Sequence, residues 1–256
     1  MENYAFTTLL ATDDYLWGAV CLYQSLQIVN SKYPFHLLVT DNISLKTRNI
    51  LDEIGILYTI VPRIDFMNQE NRYFVTFNKF HIYTLTQYDA VCFIDCDAIV
   101  KTNIDDVFSN TAPGFMVLND RFLSGVLVLV NPKSKTLQDF ESYREECSAD
   151  EQVWNKIYDP SKVTDLSEYM YALIHRTDVF NSDDKYWKYY QLDSMEKVLD
   201  YLHREYESDF QLTFKACEIA HNKWLLINNL KSTEIIFEEE LVDEDEDYRY
   251  SLDEDV

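Results

Sequence analysis

The chain has 256 residues, 47% of them hydrophobic and 15% aromatic, enough to bury the core of one α/β domain. Its formal charge of −23 comes with no stripe of clustered Lys and Arg, which excludes nucleic-acid binding by counterion release. No apolar run reaches the ~18 residues a membrane span needs. Residues 1–15 show no basic n-region, and Cys21, Cys92, Cys96, Cys147 and Cys217 form no CxxC pair, so a reduced, cytoplasmic protein is expected.

Residues 4–11 read as a short buried strand. Asp13 and Asp14 are positioned to cap a helix from about Tyr15 to Val29, whose apolar residues recur at helical spacing. A second strand follows at Phe35–Thr40, a helix at Lys46–Ile54 ending on Gly55, and a third strand at Ile56–Val61. This alternation predicts parallel pairing with right-handed crossovers. Asn78–Leu85 reads as helical and Ala90–Asp95 as a strand. Two further apolar runs occupy Phe115–Leu118 and Val126–Val130, residues 133–158 look mostly helical, and residues 160–215 are too rich in Tyr and charge to assign. From Glu238 onward, eleven carboxylates and one Arg fill nineteen residues, which predicts a disordered acidic tail over 238–256.

The segment Val91-Cys92-Phe93-Ile94-Asp95-Cys96-Asp97 is the most informative. Its apolar run suits a central parallel strand, and the carboxylates fall at the carboxyl end, where open α/β sheets bind ligands. In an extended chain residues i and i+2 face one side, so Asp95 and Asp97 are expected to converge on one hard cation. Such a cation would let an acidic protein hold an anionic nucleotide. The competing reading is an Asp pair that merely stops an apolar run, and the tail carries its own Asp243-Glu244-Asp245.

Further segments fall around this one in a consistent order. They are Ala5-Phe6-Thr7-Thr8-Leu9 with Asp13, Tyr15 and Gly18-Ala19, then Val75-Thr76-Phe77-Asn78-Lys79-Phe80 and Leu85-Thr86-Gln87-Tyr88. After the Asp pair come Asn103-Ile104-Asp105-Asp106-Val107-Phe108, Ser124-Gly125-Val126 and Glu151-Gln152. Together they resemble glycosyltransferase family 8, and within it the glycogenin group, from residue 5 to about 157. The resemblance implies a GT-A type fold, a single Rossmann-like nucleotide-sugar-binding domain over residues 1–237. A mostly parallel central sheet would carry helices on both faces.

It also implies roles. Leu9, Ala11, Thr12 and Tyr15 occupy the uridine-binding stretch, with Tyr15 stacking on the base. Lys79 matches a donor-contacting Lys, and Asp95, Cys96 and Asp97 match the metal- and donor-binding tripeptide. Ser124 and Gly125 match positions lining the donor sugar, although Leu123 stands where the family usually has Asn. Glu151 stands where the family has an Asp facing the reactive carbon, with Asp150 able to take that role after a one-residue slip. Gln152 matches the neighbouring amide. His221 is expected as the third metal ligand and Lys223 as a diphosphate partner, in a shortened His221-Asn222-Lys223-Trp224 that lacks the family's Gly and Pro. Cys217 or Glu218 is the alternative ligand. His36, His81, His175 and His203 read as structural.

The implied activity is retaining transfer of a hexose from a UDP-sugar, UDP-glucose by the family's habit, with Mn2+ or Mg2+ and in a homodimer. The acceptor is open and includes the chain's own Tyr residues. Two other readings stay in view. One is a haloacid-dehalogenase phosphatase with Asp95 as nucleophile, although Ile99 replaces the usual Thr or Val. The other is an inactive transferase-like scaffold.

Overall fold

The computed structural model describes residues 3–68, 73–118, 121–174 and Glu196. Cys217, Glu218, His221, Lys223, the acidic segment 238–256 and the boundary expected before it lie outside these residues.

In chain order the elements are β1 (Tyr4–Leu10), α1 (Leu16–Ile28), β2 (Phe35–Thr40), α2 (Leu45–Ile54), β3 (Leu57–Val61), β4 (Ala90–Ile94), β5 (Ile99–Val100), β6 (Gly114–Leu118), β7 (Phe122–Val130), α3 (Tyr143–Glu146), α4 (Asp150–Ile157), β8 (Thr164–Asp165) and β9 (Leu173–Ile174). Seven strands form one sheet in the order β3-β2-β1-β4-β7-β6-β8. Four pairings are parallel, namely β1–β2, β2–β3, β1–β4 and β6–β8, while β7 runs antiparallel to β4 and β6. The sheet is mostly parallel, as expected.

β1 and β2 are buried almost throughout, because helices cover both faces of a central parallel sheet. Alternation along the strands sends Phe6, Leu10, Cys92 and Ile94 into one core with α1, and Ala5, Leu9, Val91 and Phe93 into the other. The second core is aromatic: Phe80 stacks on Phe140 at 4.3 Å and tilts against Trp154 at 4.6 Å. That packing fixes α4 against the sheet.

Several boundaries differ from the expected ones, each for a local reason. Asp13 does not cap α1, which begins at Leu16 after a 3-10 turn over Asp13–Tyr15. Its carboxylate instead accepts from Ser44 N at 3.1 Å and Ser44 Oγ at 3.0 Å, bracing the start of α2. Ser44 caps that helix by accepting from Thr47 N, and Gly55 ends it in the left-handed region at φ 81°. The helix expected at Asn78–Leu85 is a 3-10 run over Phe74–Thr84. Asn78 cannot stay in a free helix face, because its side chain takes up Ile64 N at 2.8 Å and Asp65 Oδ1 at 3.0 Å across the chain. Residues 133–158 are broken into 3-10 turns and the short helices α3 and α4.

Gly18 marks a close approach. A Cβ there would stand 2.5 Å from the carbonyl oxygen of Cys96, so α1 is pressed against the turn after β4. Glycine in a helix interior is otherwise unfavourable by about 1 kcal/mol relative to Ala. Propensity alone therefore predicts that Gly18→Ala stabilises the protein, while overpacking predicts destabilisation by about 1–3 kcal/mol. The steric effect should win, and urea unfolding of Gly18→Ala should show a lower midpoint than the wild type; a higher one would mean the turn is not seated on α1.

Candidate active site

After β3 the chain crosses back to lay β4 on the other side of β1. The connections leaving β1 and β4 diverge, and the carboxyl ends of these two strands flank the crevice where doubly wound sheets bind ligands. Past β1 lie Ala11, Thr12 and Tyr15. The side chains of Leu9 and Ala11 belong to the buried second core, whereas Thr12 and Tyr15 are half-buried and Tyr15 packs against the first core. Past β4 lie Asp95, Cys96 and Asp97, all half-buried.

The Asp pair is not extended chain. β4 ends at Ile94, Asp95 N donates to Val126 O at 3.0 Å, and Ala98 N donates back to Asp95 O at 3.0 Å. This closes a tight turn through Cys96 and Asp97. The strand alternation expected for Asp95 and Asp97 therefore does not operate, and the turn, seated on Gly18, sets how the two carboxylates relate.

Lys79 occupies the centre. Only 9% exposed, it places Nζ 2.7 Å from Asp95 Oδ1 and 2.9 Å from Asp150 Oδ2, near Gly125 O at 3.5 Å and over the Phe93 ring at 5.3 Å. Burial alone would favour the neutral amine. The Asp150 and Asp95 charges outweigh it and hold the ammonium above the ordinary Lys range.

Helical geometry decides what α4 contributes. Asp150, Val153 and Trp154 share its buried face at i, i+3 and i+4, so packing Val153 and Trp154 into the core carries Asp150 inward. Glu151 lies on the flank toward β7, where Oε1 accepts from Gly125 N at 3.1 Å and Ser124 Oγ at 3.2 Å. One turn on, Asn155 holds the Leu123 backbone from both sides at 2.9 Å. Gln152 falls on the outer face. It is exposed, and its carbonyl oxygen accepts from Ser148 N at 2.9 Å. Of the three neighbours, Asp150 thus meets Lys79, Glu151 meets Gly125 and Gln152 meets Ser148. Asp150 is the residue expected to take the carboxylate role after a one-residue slip, and the buried-face spacing 150, 153, 154 points the same way.

The Ser124-Gly125 position is made by a β-bulge. Between the register pairs Phe115↔Val128 and Met116↔Ser124, β6 advances one residue and β7 four. The surplus releases Gly125–Leu127 from β6 and turns Gly125 toward Lys79. A Cβ on Gly125 would collide with Asp150 Oδ2 and stand 3.2 Å from Lys79 Nζ, so a side chain there would have to displace the ends of both ion-pair partners.

Removing one partner of a buried ion pair leaves an uncompensated charge and costs about 3–5 kcal/mol. Lys79→Met should therefore lower unfolding stability by about 3 kcal/mol, and Lys79→Met/Asp150→Asn should recover much of that in the same urea titration. Burial pushes the Glu151 carboxyl above its usual range, with the Asp150 charge adding and the Gly125 N–H opposing. A raised folded-state value means the folded protein holds this proton more tightly, so stability falls as pH rises from about 4.5 through the folded value. Glu151→Gln keeps the acceptor oxygen and removes the charge. Its melting temperature should depend less on pH in that window and should equal or exceed the wild type at neutral pH.

The glycosyl transferase family 8 model matches residues 6–155. Among curated proteins, Caenorhabditis elegans Glycogenin-1 is 33% identical over 150 residues, covering 53% of this chain and 34% of that protein. Arabidopsis thaliana UDP-glucuronate:xylan alpha-glucuronosyltransferase 1 is 26% identical over 257 aligned positions, 91% of this chain and 38% of its own length. Both relatives are much longer than the part this chain spans. Among solved structures, galactosyltransferase LgtC in complex with donor and acceptor sugar analogs aligns with a TM-score of 0.52 at 15% identity, over 62% of this chain and 72% of its own. GlyE of Streptococcus pneumoniae TIGR4 also gives 0.52 at 15%, over 82% and 66%. At such identities the likeness is one of fold, the GT-A glycosyltransferase fold. The family match covers more than half of the chain, takes in both carboxylate-bearing turns and removes the phosphatase reading: the chain belongs to glycosyl transferase family 8.

Proposed function

We propose that the protein is a retaining glycosyltransferase that moves a hexose from a UDP-sugar to an acceptor, with a divalent cation at Asp95 and Asp97. The observation that carries this is the buried Lys79 between Asp95 and Asp150, beside the 95–97 turn at the sheet's switch point. The crevice combines an acidic rim for a cation with a fixed ammonium for phosphate oxygens.

The donor set suits the cation. Asp95 and Asp97 offer the hard carboxylate oxygens that Mn2+ or Mg2+ takes. Among the described residues no three His, Cys, Asp or Glu side chains close on one point, which leaves room for phosphate oxygens and for His221. The bound cation would supply counter-charge for the departing diphosphate. Lys79 adds a second, preorganised positive charge in a site of low dielectric, and Lys223, outside the described residues, belongs to the proposal as a diphosphate partner. Leu9, Ala11, Thr12 and Tyr15 line the path for uridine. Asp150 and Glu151, with Ser124 and Gly125, face the space left for the sugar. Gln152, expected beside Glu151, is exposed and accepts from Ser148 N. Among the described residues no helix is long and apolar enough to cross a membrane, and a cytoplasmic homodimer belongs to the same proposal.

A panel of UDP-sugars with MnCl2, following UDP release and intact mass together, tests this reading. One sugar, UDP-glucose first, should give turnover, and a mass gain of whole hexoses would identify the chain's own Tyr residues as acceptors. Asp97→Asn should lose at least ~100-fold in turnover, the scale of removing one electrostatic element from such a site. Equal turnover in wild type and Asp97→Asn would remove the metal from the 95–97 turn, and no turnover with any donor would favour the inactive scaffold.

A further inference from the structure

Asp95 is asked to do two things at once. The proposed metal needs its carboxylate, yet Lys79 Nζ already lies 2.7 Å from Oδ1. The ammonium is not a loosely placed surface group. It is buried, anchored from behind by Asp150 Oδ2 at 2.9 Å and roofed by the Gly125 backbone, where a Cβ would crowd both partners. Lys79 therefore supplies positive charge to both the buried Asp150 and the half-buried Asp95.

A divalent cation arriving alone meets that charge a few ångströms away on the same carboxylate, in surroundings that screen it weakly. A diphosphate changes the balance, because its oxygens bring the negative charge that both cations need. Asp150 gives Lys79 a second partner to lean on while Asp95 turns to the metal. We propose that Lys79 is a built-in stand-in for the metal, a positioning residue that holds Asp95 in reserve until a nucleoside diphosphate arrives, so that metal and nucleotide enter together. This rests on the proposed metal-dependent use of a nucleotide sugar. Linkage then requires that UDP raise the affinity for metal by the same factor that metal raises the affinity for UDP.

The test is Mn2+ binding, read from the electron paramagnetic resonance of the free ion, on the full chain with and without UDP. Wild type should bind Mn2+ weakly alone and at least tenfold more tightly with UDP. In Lys79→Met, binding without UDP should tighten by at least tenfold and the enhancement by UDP should shrink. Part of that gain would follow from removing any nearby positive charge. Lys79→Met/Asp150→Asn removes one charge of each sign, so the pocket's net charge is unchanged and the buried Asp150 is not left as an unpaired charge. Tight nucleotide-free binding in this double variant supports the stand-in. Wild-type affinity in the double variant, with UDP enhancement intact in the wild type, overturns it while leaving the metal site in place. A wild type that binds no Mn2+ even with UDP overturns both the stand-in and the metal-dependent reading beneath it.

Discussion

A single buried ammonium ties together three stretches of chain that lie far apart in sequence. Lys79 comes from the 3-10 run after β3, Asp95 from the turn after β4 and Asp150 from the first turn of α4. Each would be costly to bury alone, and each becomes tolerable only when the other two are present. The cluster constrains its surroundings accordingly. Gly125, brought there by the β7 bulge, leaves the space that the ends of Lys79 and Asp150 occupy.

Dense packing stands behind that cluster on two sides. The aromatic wedge of Phe80, Phe140 and Trp154 fixes the faces of the 3-10 run and of α4, and thereby the directions of Lys79 and Asp150. On the opposite face α1 presses Gly18 against the Cys96 carbonyl and holds the 95–97 turn. The functional groups thus sit on elements whose positions are set by dense cores, the arrangement that keeps charged groups preorganised rather than free to relax around a substrate.

Glu151 shows how a charge can be kept for its geometry. Its Oε1 gathers Ser124 Oγ and Gly125 N, so the carboxylate steadies the bulge while burial and Asp150 work against its ionisation. A neutral amide could make the same acceptor contacts at lower electrostatic cost. The carboxylate therefore places a negative or proton-bearing group beside the Ser124-Gly125 bulge.

Local pattern was enough to read much of this protein. The alternation of apolar runs and helical spacing through residue 61 gave parallel β1, β2 and β3 with α1 and α2 between them, and Gly55 announced the end of α2, because these features depend on neighbours within a few residues. The apolar run ending in Asp95-Cys96-Asp97 marked β4 and the carboxylates just beyond it for the same reason. What sequence could not settle was direction. Whether Asp95 and Asp97 sit on a strand or in a turn depends on Val126 and Gly18, which approach from distant parts of the chain. Whether Asp150 or Gln152 faces inward depends on which side of α4 finds Phe80 and Phe140 to pack against. The residue types were legible because chemistry is local; their partners were decided only by tertiary packing, because burial is shared among segments that the sequence keeps apart.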